Sequence, residues 1–296
     1  MAGRARLAVG VAEPVRRHPV LLAQAALTLS HLTERPPILG IGSGEAENIE
    51  PYGLSFRRPV ARLEEALQIL RMIFDGEGPY GFEGSFYRLD DAPMDLRPGP
   101  GGPPEIWVAA HGPRMLGLTG RYGDGWYPTL PMAPERYAVS LERIRRAAEE
   151  AGRNPLAITP SFQAFCVVAR SDDTAREWLD HPAVRFMALL APDDVWQEEG
   201  LEHPLGAGFG GMIDFVPSRH SREEILDAIA RVPVELMEQQ VLWGSPDRIV
   251  GSLRDLAEAG LRHVVLSPIS PLVSRRAAVQ TFTALPAIVR RLRSGT

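Results

Sequence analysis

Residues 36–75 read PPILGIGSGEAENIEPYGLSFRRPVARLEEALQILRMIFD. Ile38, Leu39 and Ile41 form a short apolar run that ends in Gly40, Gly42, Ser43 and Gly44. That is the pattern of a buried strand that stops where backbone must come close to something. From about Pro59 the period changes. Leu63, Ala66, Leu67, Leu70, Ile73 and Phe74 share one helical face, while Arg62, Glu65 and Arg71 fall elsewhere. The stretch therefore predicts strand, loop and helix, and the first polar side chains after the strand are Ser43, Glu45 and Asn48. A dinucleotide fingerprint needs its glycines to open the helix directly. Here a long segment with Pro51 and Gly53 intervenes, which removes that reading. Two remain: a plain tight turn, or a functional loop at the carboxyl end of a parallel strand, where α/β barrels carry their chemistry.

Working outward, Arg6 to Val11 reads as a strand, and Val20 to Leu32, led by Pro19, as a helix that is apolar on most sides. Downstream, Tyr80, Phe82, Phe86, Tyr87 and Leu89 suggest a small β excursion, followed by a Pro- and Gly-rich connector from Pro98 to Pro104. Glu105 to Ala110 is the next buried strand. His111-Gly112-Pro113 breaks it just before a helix over Arg114 to Arg121, whose first backbone N–H groups lack helical partners. Such a terminus either holds a phosphate or carboxylate or is an ordinary capped helix. Gly123 to Tyr127 gives a further strand, Pro134 to Gly152 an amphipathic helix, and Ala157 to Arg170 a long apolar strand. Residues 172–233 are irregular, with short helical runs around Trp178, Phe186, Met187 and Trp196, and read as an insertion covering one barrel end. Ser245 and Pro246 open a helix that Gly260 closes, Leu261 to Leu266 forms a strand, and a last helix from about Ser274 to Arg293 is bent or interrupted at Pro286.

The 296 residues are 45% hydrophobic and 23% charged, enough for a substantial core, and one barrel domain over 1–296 is the simplest arrangement. A net charge of -5 argues against nucleic-acid or anionic-membrane binding. The lone cysteine, Cys166, sits in an apolar run and reads as a small buried hydrophobe, so no internal disulfide is expected. No spanning helix or secretory signal is legible, and a cytoplasmic location is expected. The histidines at 18, 31, 111, 181, 203, 220 and 263 show no paired metal spacing, so no metal site is expected. The parallel-type strands fall near 6–11, 37–42, 105–110, 124–128, 158–169 and 262–267. That is two short of a (β/α)8 barrel: either two escaped recognition, or the chain opens at the third.

LAVGVAEPVRRHPVLLAQAALTL, LGIGSGEAENIEPYG with RRPVARLEEALQILR, and IWVAAHGPRMLGLTGRYGDGWYP together resemble the bacterial luciferase-like superfamily. The likeness is greatest to the branch that uses the deazaflavin coenzyme F420, and it runs over nearly the whole chain. It implies a TIM-type (β/α)8 barrel in which the first two β/α units are missing here, from a start placed too late or from a fragment. It also implies a cofactor site. Gly10-Val11 matches a bulge with a non-prolyl cis peptide behind the ring. Ser43, Gly44 and Asn48 match cofactor contacts, and Glu45 a proton acceptor. His111, Gly112, Arg114 and Met115 match the stretch whose backbone holds the cofactor's phosphate side.

The activity so implied is hydride transfer between F420 and a carbonyl or alcohol, in a homodimer with a small-molecule substrate. Glu45 has a plainer reading as a solvated loop carboxylate. His111 more simply contributes backbone at a turn. The mouth formed by Trp126, Tyr127, Pro128, Thr129, Leu130, Pro131 and Met132 suits a hydrophobic carbonyl compound, although core packing accounts for the same residues. The alternatives are an FMN-dependent monooxygenase and an inactive truncated fragment or partner subunit.

Overall fold

The computed structural model describes residues 6–129 and 131–294. The chain divides into two compact units, residues 1–128 with 140–160 and residues 129–139 with 161–296.

The first unit alternates strand and helix. In chain order it holds β1 (Ala8–Ala12), α1 (Pro19–Ser30), β2 (Ile38–Ile41), α2 (Pro59–Asp75), a hairpin of β3 (Tyr80–Glu83) and β4 (Arg88–Ala92), β5 (Glu105–Val108), α3 (Pro113–Tyr122) and β6 (Gly125–Trp126). Two longer elements, α4 (Pro134–Glu150) and β7 (Thr159–Val168), contribute residues to both units. β1, β2, β5, β6 and the first residues of β7 pair side by side, all parallel.

Local chemistry explains the helix boundaries. Pro59 and Pro113 occupy first helical positions, where a missing N–H leaves nothing unsatisfied. α2 buries Leu63, Leu67, Leu70, Ile73 and Phe74 on the face that the sequence period marks. At about 1.5–3 kcal/mol per buried side chain, that stripe is the main force holding α2 in place. It ends at Gly76, whose N–H returns to Met72 O at 3.1 Å; a Cβ there would stand 2.7 Å from the same oxygen.

A polar network fixes the amino end of β6. Asp124 accepts from Ile106 N–H at 2.9 Å, from Arg71, and from Arg153 at 3.2 Å. Arg153 also donates to the carbonyls of Gly120 and Gly123, each at 2.7 Å. Similarly, Glu65 on α2 ties down the hairpin by accepting the N–H groups of Ser85, Phe86 and Tyr87.

In the second unit the rest of β7 is followed by α5 (Asp172–Leu179), α6 (Pro182–Arg185), α7 (Asp193–Glu198), α8 (Arg222–Ala230), α9 (Val234–Gln240), β8 (Leu242–Gly244), α10 (Pro246–Glu258), β9 (His263–Pro268) and α11 (Arg275–Ser294). Both β8 and β9 pair parallel with β7. Ser245 caps α10 by accepting from Arg248 N–H, and Pro286 lies inside α11. The core here gathers Val167, Leu179, Leu189, Trp196, Met237 and Trp243. Each of the six strands legible in the sequence is present. A seventh, β8, went unread because three residues, Leu-Trp-Gly, are too short to show alternation.

Candidate active site

Pleating sends alternate residues of the first unit's sheet to opposite faces. On one face Leu39, Ile41, Ile106, Val108 and Trp126 are all buried. The other face is made mostly of residues with little or no side chain: Gly10, Gly40, Gly42, Ala109 and Gly125, together with Trp107 and Tyr127. The glycines make room. A Cβ on Gly40 would lie 2.2 Å from Val9 O, and one on Gly125 would meet the Trp107 ring at 2.6 Å. Trp107 and Tyr127 fill the space so released, with ring centroids 6.1 Å apart.

Because these strands are parallel, their carboxyl ends share one edge. The Gly10–Val11 peptide is cis and lies in a register shift between Val9 and Ala12. Gly42 N–H donates to Ala12 O at 2.9 Å, and Ala109 N–H to Ile41 O at 2.9 Å. The Cβ position of Gly42 is 3.5 Å from both Val11 Cγ2 and Ala109 Cβ. The segments 10–11, 42–45 and 109–112 are thus brought together. Val11, whose methyl groups lie against the Cβ positions of Gly40 and Gly42, remains 44% exposed and leaves open apolar surface beside the bulge.

Gly44 has φ +90°, and a Cβ on it would stand 2.6 Å from Ile49 Cδ1, so the turn before Glu45 requires glycine. Ser43 and Glu45 are half-buried at this edge. Asn48 donates from Nδ2 to Glu45 Oε2 at 2.8 Å, which fixes the carboxylate and leaves Oε1 without a partner among the described residues. Burial, and then the neighbouring Glu47, push the Glu45 carboxyl above the usual range; the Asn48 hydrogen bond opposes them.

At the third turn, Gly112 starts α3 with no side-chain cap and extended backbone, and the space its Cβ would fill is open. Leu116 N–H is the first to bond back, to Gly112 O at 3.0 Å. The N–H groups of Arg114 and Met115 consequently face outward from a positive helix end. The Arg114 side chain is turned away to Glu64 at 2.8 Å, so this residue offers its backbone. His111 is exposed beside Gly112.

Two features were hidden in the sequence or differ from its reading. Trp126 is fully buried, with Nε1 donating to Ala110 O at 2.8 Å, and it belongs to the core instead of an apolar mouth. Leu130 lies outside the described residues. Glu13 carries no motif of its own in the sequence, yet it accepts from Arg16 N–H at 3.0 Å and Arg16 Nε at 2.7 Å, and its Cβ is 3.4 Å from the Cβ position of Gly44. Its place as the first carboxylate after β1, facing the Gly44 turn across β2, was the available signal. Among the described residues, no group of three or more His, Cys, Asp or Glu is placed to hold a metal ion, and no helix is long and apolar enough to cross a membrane.

A sequence model of the luciferase-like monooxygenase family matches residues 3–263. The chain belongs to that family. It is 43% identical over 267 residues to the phthiodiolone/phenolphthiodiolone dimycocerosates ketoreductase of Mycobacterium tuberculosis strain H37Rv, covering 90% of this chain and 70% of the relative. Among solved structures, the coenzyme F420 dependent tetrahydromethanopterin reductase of Methanopyrus kandleri aligns with a TM-score of 0.70 at 22% identity, over 89% of this chain and 77% of that one. An F420-dependent secondary alcohol dehydrogenase in complex with an F420-acetone adduct aligns with a TM-score of 0.71 at 20% identity, over 89% and 74%. The fold is accordingly α/β of the luciferase-like barrel class, and the protein is an oxidoreductase.

Proposed function

We propose that the chain, acting as one luciferase-like domain, binds coenzyme F420 and exchanges a hydride with a carbonyl or alcohol substrate of hydrophobic character. The observation that carries this reading is the meeting of three turns on one strand edge: an apolar bulge at Gly10–Val11, a glycine turn at Gly42–Gly44 leading to a half-buried carboxylate, and an uncapped helix start at Gly112. The residues fit a flat ring with an anionic arm. Gly42 and Gly112 leave space at the edge, Val11 offers apolar surface, and the Arg114 and Met115 N–H groups attract negative charge. Ser43, Gly44 and Asn48 line the same turn, with His111 at the arm's end.

The deazaflavin, when bound, supplies a two-electron hydride carrier. The chain's own residues place the ring and handle the proton. Glu45 Oε1, left over from the Asn48 hydrogen bond, gives a proton to the substrate oxygen in carbonyl reduction or removes it in alcohol oxidation. A carboxyl raised by burial suits both tasks better than an ordinary one. The hydrophobic substrate class rests on Val11, on Tyr127 and Pro128, and on a relative named as a ketoreductase.

The test is to titrate purified protein with F420 and with FMN, then to offer hydrophobic ketones and glucose-derived substrates with the reduced cofactor. Tight F420 binding and ketone turnover support the reading. FMN bound in preference, with its distinct absorbance, gives the monooxygenase alternative. Turnover confined to sugar substrates removes the hydrophobic class. We further propose a cytoplasmic homodimer, for which a monomer by sedimentation at working concentration is the opposing result.

A further inference from the structure

Tyr127 lies on the glycine-rich face of the first unit, at the carboxyl end of β6, where its N–H donates to Val108 O at 2.9 Å. The residue is 8% exposed. Its hydroxyl stands 3.3 Å from the position a Cβ on Gly10 would take, so the phenol ends directly beneath the Gly10–Val11 bulge. The ring is held by Trp107. By contrast, other buried aromatic polar groups of this unit find partners: Trp126 donates to Ala110 O, Trp107 to Glu105 Oε2, and Tyr87 to Pro14 O. The Tyr127 hydroxyl has no hydrogen-bond partner among the described residues. The ring is buried while the hydroxyl keeps an accessible edge, where water or a bound molecule can supply its partner.

We propose that the Tyr127 hydroxyl contacts the bound molecule, donating a hydrogen bond to a carbonyl oxygen seated at the Gly10–Val11 bulge. The inference rests on the proposed function and deepens it, assigning polar recognition to a residue that the sequence presents as part of an apolar mouth. That carbonyl belongs either to the cofactor ring or to the substrate ketone. Burial raises the phenol above its ordinary range, so it stays protonated and acts as a donor instead of a base.

The experiment is Tyr127→Phe, which keeps the ring against Trp107 and removes only the hydroxyl. Wild type and variant are titrated with F420 and FMN by fluorescence, and then assayed with a hydrophobic ketone, after melting curves establish equal folding. A ring carbonyl as partner gives an affinity for the preferred cofactor about tenfold weaker; a substrate carbonyl leaves that affinity alone and lowers kcat/KM about tenfold. If both quantities stay within about twofold, the assignment is overturned. Preference for FMN in the wild type sinks the F420 reading without touching this one, because the Tyr127→Phe comparison is then made on FMN. Binding of neither ring by the wild type overturns both.

Discussion

Glu45 shows how one side chain becomes chemically distinct through its neighbours. Its carboxylate is half-withdrawn from water, faces Glu47, and is pinned through one oxygen by Asn48. Removing its proton-carrying ability with Glu45→Gln should lower kcat by about 10²–10⁴-fold while leaving F420 affinity in place, the signature of a general acid or base. In ketone reduction, where Glu45 must carry the proton, the pH–rate profile of the wild type should fall on the alkaline side of a pKa that lies above the ordinary carboxylate range. The same shift has a stability consequence. A carboxyl whose folded pKa is raised favours the folded state least once pH passes that pKa, because the folded protein then carries the buried charge. Glu45→Gln should therefore melt higher than wild type near neutrality, and the gain should vanish below pH about 4, where the wild-type group is neutral in both states. Equal melting temperatures at pH 7 would contradict the burial argument. Beside it, Gly44→Ala forces a side chain into φ +90° and against Ile49. It should destabilise by about 1–2 kcal/mol in a urea melt and weaken cofactor binding with it.

Among the elements, α3 carries the most specific expectation. Its first turn has no side-chain cap, and Gly112 has open space and an ordinary negative φ. Gly112→Asp should seat a carboxylate on the Arg114 and Met115 N–H groups, raising helix stability by a few tenths to about 1 kcal/mol. It should also weaken binding of an anionic cofactor more than about tenfold, since two negative groups compete for one positive end. A variant that binds F420 as wild type does shows that the arm lies elsewhere. The core contribution of α2 is measured separately: Leu67→Ala, at a fully buried position, should lose about 2–5 kcal/mol. Asp124→Ala removes the carboxylate that Arg71 and Arg153 share and leaves Ile106 N–H without an acceptor, and about 1–3 kcal/mol is the expected loss. Both variants should leave the pH profile of any folded fraction unchanged.

For the molecule as a whole, cofactor binding should appear as linked stability. A ligand that binds only the folded chain adds about 2.7 kcal/mol at a hundred times its Kd, so the melting temperature should climb steadily with F420 concentration. A melting temperature indifferent to F420, with activity intact, would mean that the hydride carrier is another molecule.

Much of this was readable from residues 36–75 and their counterparts. Periodicity placed α2, the β2 strand and the α3 start within a residue or two, because 3.6- and 2-residue spacing reflects which side chains leave water, a local property. The glycines at 40 and 44 likewise announced a tight backbone, since a Cβ at either would collide with a neighbour. What sequence order left open was every relation across the sheet. β8 is too short to show a period, and Trp126 and Tyr127 look alike as neighbours in sequence, yet pleating sends one into the core and the other beneath Gly10. Glu13 comes beside Gly44 only because β1 and β2 pair in parallel. Pairing register and the face a side chain takes are set by the cooperative packing of distant segments, and so the tertiary structure alone decided them.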